Sequence, residues 1–360
     1  MICKNAVYCA QEYEVTLYRR TMDTVTHCLI GTFTYSLLPR VYKVKNLLLA
    51  SIVLANIPDI DVFFAYTQEL YLALHRGITH SIFLVPLISL LFAYIIMRWI
   101  IPKETQWRYA TMYGYVVLLL MEHIYADIVT NYGTMILMPF SAVRIRVPGL
   151  FIIDLMVIAL LIIGSILGFK RRYKGAYSIA VVLFLYPLLS YGIGSFVEKS
   201  VYTRYAPLLS EESRVIVYPA PFAPLYWNVI IEDDTTYYQT KINIITHSIT
   251  PLIQYSRLDN EFIEALKKQG RFFQLYSAFA DDMLVITKRD GDKITLAPLY
   301  TIPIGEKAFG KTSSFLEITL YEKDNVIEKI ELFPAIFLWR YDTPALVVEE
   351  PFSLPNMSSL

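Results

Sequence analysis

Residues 75–101 read HRGITHSIFLVPLISLLFAYIIMRWII, a knot of ionisable side chains that runs straight into an apolar stretch. From Thr79 to Ile101 the stretch has the length, about 20 residues, that a helix needs to cross a bilayer. Comparable runs lie at about 47–66, 109–128, 150–169 and 176–196, with a shorter one at about 24–38. The fold these runs predict is a membrane α-helical bundle of about six embedded helices. After about residue 200 the character changes to polar, alternating segments such as 214–218, 226–231 and 293–297, punctuated by Pro and Asp-Gly. That half predicts a mostly β extramembrane domain with one helix near 259–269. The expected division is a polar N-terminal extension over 1–21, a membrane domain over 22–198, and a β domain over 199–360.

Composition agrees with a membrane class: 360 residues are 55% hydrophobic and 18% charged, with a mean hydropathy of +0.44. The formal net charge is zero, so no broad basic field invites nucleic acid. Cys3, Cys9 and Cys28 lack paired metal spacing, which supports neither a disulfide framework nor a cysteine zinc site. Residues 1–21 are polar and lack the apolar core of a cleavable signal, and Met22 is a candidate translation start.

Short cytoplasmic loops are enriched in Lys and Arg. Alternate loops of the six-helix reading carry Arg40, Lys43 and Lys45, then Arg98, Lys103 and Arg108, then Lys170, Arg171, Arg172 and Lys174. The intervening loops carry only Arg76, Arg144 and Arg146, so they and the β domain are expected to face outward. Lys4, Arg19 and Arg20 run against that orientation unless the chain starts at Met22.

Four of the five histidines fall in polar clusters at the outward ends of these runs: Thr26-His27, Pro58-Asp59-Ile60-Asp61, His75 to Ser81, and Glu122-His123 to Asp127. His123 and Asp127 are four apart, on one face of a helix and within reach of one ion. Pro58 should perturb or end its helix and free Asp59 and Asp61 to turn inward. Imidazole with carboxylate suits zinc, with iron or manganese as competitors. Ionisable groups at membrane depth usually mark a function or a mutual pairing. Each cluster also has a plainer reading: a helix cap for His27, a headgroup-facing loop for His75 and His80, a solvated terminus for Asp59 and Asp61, a hydrogen-bonded pair for His123 and Asp127. Arg144 and Arg146 read as headgroup-snorkelling residues, Asp154 as a carboxylate at a helix N-terminus, and His247 as a surface histidine. Glu122 points about 100° away from His123 on the helix, which leaves supporting and lipid-interface roles open.

The segments Met22 to His27, Ile57-Pro-Asp-Ile-Asp61, His75-Arg-Gly-Ile-Thr-His-Ser81, His123 with Asp127, Asn131-Tyr-Gly-Thr134 and Met138-Pro-Phe-Ser141 resemble the YdjM-type family of membrane-bound metal-dependent hydrolases. The resemblance covers about residues 22–160, and HRGxTHS is its most specific part. It implies a bacterial or archaeal cell-membrane protein with hydrolase chemistry and a poorly defined substrate. The order His27, Asp61, His75, His123, Asp127 is also similar to the ligand order of zinc-dependent phospholipase C. No histidine lies between His123 and His247 to supply that enzyme's later ligands, so one or two ions are expected.

The functional expectation is a metal-dependent hydrolase acting on a phosphoester or lipid-linked phosphate at the outer membrane face. His27, Asp59, Asp61, His75, His123 and Asp127 are the candidate ligands. His80 or a carboxylate that does not bind the ion is the candidate acid or base, and Arg76 the group that neutralises phosphoryl charge. The expected partners are membrane lipids and a phospholipid or lipid-linked substrate; the sequence leaves the oligomeric state undetermined. An ion-coupled transporter and a non-catalytic scaffold or sensor that keeps a structural ion are the alternatives.

Overall fold

A computed structural model of the chain describes residues 24–353 except 66, 206–208, 211–212, 221–224, 303, 305–315, 324–325 and 333–345. Residues 1–23, with the proposed extension, Met22 and two cysteines, lie outside the described residues. Two compact units form. The first takes the chain up to Asp61 and Arg76–Ile193; the second takes Val62–His75, Gly194–Ala220 and Leu225 onward.

The first unit is helical. It holds α1 (24–37), α2 (Leu47–Leu54), α4 (Val85–Trp99), α5 (Tyr109–Ile128), α6 (Leu155–Phe169) and the first part of α7 (Tyr173–Tyr205). Helix α5 is its axis: Met112, Val116, Leu119, Leu120, His123, Ile124 and Asp127 are buried, the three-and-four spacing of one continuous face. Around that face pack Leu47, Leu54, Val85, Ala93 and Ile96 from α2 and α4. A second cluster joins Ile30 and Phe33 of α1 to Leu161 of α6 and Ala176 of α7. Helices α1 and α2 touch closely at Gly31, where an added Cβ would stand 2.5 Å from the Ser51 carbonyl oxygen.

Six membrane-crossing helices are not what these residues build. Among the described residues one helix, α7, is long and apolar enough to cross a bilayer. At a rise of about 1.5 Å per residue, its 33 residues reach about 50 Å. Helices α4 and α6 have 15 residues each, about 22 Å against a hydrocarbon core of about 30 Å. The apolar runs at 47–66, 79–101 and 150–169 are longer than their helices because hydropathy does not register a break. The run at 47–66 stops being α-helical after Leu54 and tightens into a 3-10 turn, Pro58–Phe63. The run at 79–101 begins with a 3-10 turn, Ile78–His80, and becomes α4 only at Val85. The orientation drawn from Lys and Arg presupposed six crossings and falls with them.

The second unit carries α3 (Gln68–Leu74), two antiparallel sheets and two helices. Strands β1 (Arg214–Pro219), β2 (Tyr226–Glu232), β3 (Thr236–Asn243) and β4 (Ile253–Ser256) pair in sequence order. Helices α8 (Asn260–Lys268) and α9 (Arg271–Phe279) follow, two where one was expected. The second sheet runs β5 (Leu284–Asp290), β6 (Lys293–Pro298), β7 (Ile318–Lys323), β8 (Val326–Glu331) and β9 (Leu346–Ser353). Tyr218, Ile230 and Tyr237 of the first sheet pack with Val285 and Ala297 of the second.

Candidate metal centre

The buried stripe of α5 ends in His123 and Asp127, so the packing that hides Leu119 and Leu120 also turns these two side chains into the first unit. Asp59 arrives on the 3-10 turn that Pro58 opens, and His80 on the turn that precedes α4. One ligand atom from each of Asp59, His80, His123 and Asp127 lies within 4.8 Å of the others. His80 and His123 are fully buried, Asp127 nearly so, and Asp59 alone is partly open at 21% exposure.

The separations are close to uniform. His80 Nε2 lies 3.1 Å from His123 Nε2, 3.0 Å from Asp127 Oδ2 and 3.5 Å from Asp59 Oδ1. His123 Nε2 lies 3.4 Å from Asp127 Oδ2 and 3.5 Å from Asp59 Oδ1. A tetrahedron of N and O ligands about 2.0–2.1 Å from a zinc-sized ion has edges of about 3.3–3.4 Å.

The protons tell why these four atoms need a cation. His123 Nδ1 lies 2.6 Å from the carbonyl oxygen of Ala55, which can only accept, so Nδ1 carries hydrogen and the neutral ring turns a lone pair inward from Nε2. Thr79 spends its hydroxyl hydrogen on Asp61 Oδ2 at 2.8 Å, leaving its oxygen to accept from His80 Nδ1 at 3.1 Å. That orients a second lone pair, from His80 Nε2, onto the same point. Asp59 Oδ1 and Asp127 Oδ2, both buried, have no donor among the described residues other than the ring nitrogens that face them. Two lone pairs and two anionic oxygens therefore converge, and a positive charge must stand among them: a metal ion or protons on the rings. The donor set fits a divalent metal. In the ion-free protein burial pushes the Asp59 carboxyl up, but the His123 charge and hydrogen bonds from His123 and His80 outweigh it and hold the group well below the usual carboxylate range. Burial pushes His123 down, while Asp59 and Asp127 outweigh it and hold its proton well above the usual imidazole range.

Of the other expected residues, Asp61, His27 and Arg76 stand at this group. Asp61 is buried; its Oδ2 accepts from Thr79 and from the Arg76 backbone N–H at 3.0 Å and stands 3.5 Å from His80 Nδ1. Such a carboxylate behind a ligating imidazole fixes its tautomer and ring orientation. His27 stacks on His123 with ring centroids 3.8 Å apart. Its Nε2 faces the outer oxygens, 3.6 Å from Asp127 Oδ1 and 4.0 Å from Asp59 Oδ2. Arg76, expected at the substrate, is 2% exposed and holds Asp127 instead: one guanidinium nitrogen is 2.9 Å from Oδ1 and another donates to Thr130 Oγ1 at 3.0 Å. Its backbone is left-handed at φ 57°, a strained setting for a residue with a side chain, and its carbonyl accepts from Met135 N–H. His75 caps α3 in the second unit, where its ring stacks on Tyr71. Asp154 caps α6 by accepting from the N–H groups of Met156 and Val157, and His247 is an exposed residue of the second unit. Glu122 turns to α1 and accepts from Thr34 at 2.6 Å.

Sequence reasoning missed Thr79, Thr130 and the Ala55 carbonyl. Thr79 lies inside the HRGxTHS element and was within reach; a backbone carbonyl leaves no signal in a sequence. A buried His/Asp centre in a helical unit, in a chain that has one helix long and apolar enough to cross a bilayer among its described residues, defines a protein with a candidate metal site. Residues 22–197 match the family model for the YdjM inner membrane protein, and over those residues the chain belongs to the YdjM inner membrane protein family. No curated protein and no solved structure matches it.

Proposed function

We propose that the helical unit is a metal-dependent hydrolase acting on a phosphoester, with one zinc-like ion held by His80, His123, Asp127 and Asp59. The carrying observation is the pair of imidazole Nε2 atoms 3.1 Å apart beside two buried carboxylate oxygens. When bound, the ion would acidify a water and polarise a phosphoryl oxygen. His80, His123 and Asp127 are the closed side of the site. Asp59, the partly open member, is the group that meets water and orients it by accepting a hydrogen bond. Arg76 and Thr130 keep Asp127 in place, and Asp61 with Thr79 keeps His80 in its tautomer. Of the residue order shared with zinc-dependent phospholipase C, His123 and Asp127 are ligands of this site, and those two support a phosphoester as the bond acted on. Membrane residence of the family supports a lipid or lipid-linked carrier.

One observation favours a second reading. Four protein ligands, three of them buried, resemble closed structural sites more than catalytic ones that keep a position open. Elemental analysis of the purified full chain, followed by turnover of phosphomonoesters and phosphodiesters, separates the two. The hydrolase reading expects about one ion per chain and turnover. His123→Ala and Asp127→Ala should each weaken ion binding by more than the ~10–100-fold typical of outer-partner loss and abolish turnover. Full ion content without turnover leaves the structural ion, and unchanged ion content in both variants removes the site.

A further inference from the structure

The segment bonded to Arg76 and Ser81, the neighbours of the centre, carries an apolar rim that the hydrolase reading does not use. After α5 the chain makes a short antiparallel bridge, Thr134 to Ile145, and is tied to the site by hydrogen bonds from Met135 N–H to the Arg76 carbonyl and from Ser81 Oγ to the Met138 carbonyl. Its tip, Pro139, Phe140, Ala142 and Val143, is exposed, Phe140 to 79% and Val143 to 64%. Phe83, three residues after His80, meets Phe140 edge-on with centroids 5.0 Å apart and is itself 48% exposed. Arg144 and Arg146 follow directly, both half-buried, Arg144 lying over the Tyr132 ring.

Aromatic and aliphatic side chains at a loop tip with arginines behind them are the composition of a bilayer-contacting element: the apolar tip enters the acyl boundary and the guanidinium groups meet lipid phosphates. Resting on the hydrolase reading for its substrate, we infer that Phe83, Phe140 and Val143 form a membrane-seated rim of the metal centre, through which the site receives a phosphoester carried by a bilayer lipid. The occupant is a lipid surface because the rim pairs exposed apolar groups with cations and no acidic residue lies between Thr134 and Arg146.

The test uses the full chain in nanodiscs of phosphatidylcholine and phosphatidylglycerol, with and without brominated acyl chains. Phe140→Trp should add blue-shifted emission that brominated lipid quenches several-fold more strongly than it quenches the unsubstituted protein. Added emission untouched by brominated lipid overturns the rim, whether the indole is open to acrylamide or covered by protein, as a second copy would cover it. Phe140→Asp with Val143→Asp should lower turnover of a lipid-carried phosphoester at least about tenfold and leave a water-soluble one unchanged; equal losses on both overturn the lipid assignment. Quenching without turnover of any ester keeps the rim and sinks the hydrolase, and turnover without quenching does the reverse.

Discussion

The two units each bury a polar node, and the nodes are built on opposite principles. In the second unit Gln239 is fully buried, and its amide nitrogen lies within 3.4 Å of Tyr218 Oη and the carbonyl oxygens of Leu299 and Ile302. That node is neutral and its amide nitrogen meets acceptors, the arrangement that makes burial of a polar group tolerable, with Gln239 Oε1 alone accepting no hydrogen bond among the described residues. In the first unit four ionisable side chains bring acceptors onto acceptors and leave the balance to a cation. One node specifies a fold; the other holds a place for something the chain does not itself encode. The comparison is best tried by asking whether each node answers to metal.

The largest expected effect comes from the one fixed cation in the first node. Arg76→Met leaves Asp127 buried without its 2.9 Å partner. Breaking a buried pair from one side typically destabilises by ~3–5 kcal/mol. The loss should be greatest in chelator-treated protein and smaller with zinc present, because the ion takes over part of the compensation. Thermal unfolding in detergent with and without metal checks this; equal losses in both states would mean that Arg76 and the ion do not share Asp127.

Asp61→Asn should come next. It keeps the shape behind His80 but removes the charge, and loss of such an outer partner costs ~10–100-fold in metal affinity. Chelator competition measures it, and the fold should be unaffected. An affinity loss equal to that of His123→Ala would instead make Asp61 a ligand in its own right.

How much of this was legible beforehand differs between residues. His123 and Asp127 could be read as a pair because a spacing of four on a helix fixes a common face, whereas Pro58, expected to perturb or end the helix, instead opens the 3-10 turn that carries Asp59 and Asp61 after the helix has stopped at Leu54. The β character of the second half was likewise visible in alternation. What could not be read was which atom each group presents, since that depends on the Ala55 carbonyl and on a hydroxyl proton of Thr79. Arg76 was misdirected for a related reason: charge in a sequence says nothing about which way a left-handed backbone turns it. The six spans failed where helix ends are set by local turns, at Leu54 and before Val85, while apolarity continues past them.

The pH response sharpens the contrast further. His123 holds its proton well above the usual imidazole range, so in ion-free protein its stabilisation is present below the unfolded value of about 6.5 and is lost as pH rises through the raised folded value. Metal must displace that proton, so affinity should rise with pH by up to about tenfold per unit for one proton released. Ion-free protein should lose stability on the alkaline side, and zinc should restore it there. Measuring unfolding from pH 6 upward with and without zinc decides the matter, and parallel curves would mean that proton and ion do not compete for the same place.

The smallest effect is expected in the neutral node, and it is the control on which the comparison depends. Gln239→Leu removes the donor that Tyr218, Leu299 and Ile302 share. Leaving buried acceptors unmet costs ~1–3 kcal/mol, so unfolding should move modestly and by the same amount with or without zinc. Ion content should not change at all, because nothing in that node needs a cation. If Gln239→Leu did alter metal binding, burial in the second unit would be coupled to the His/Asp centre, and the two nodes would have to be treated as one system.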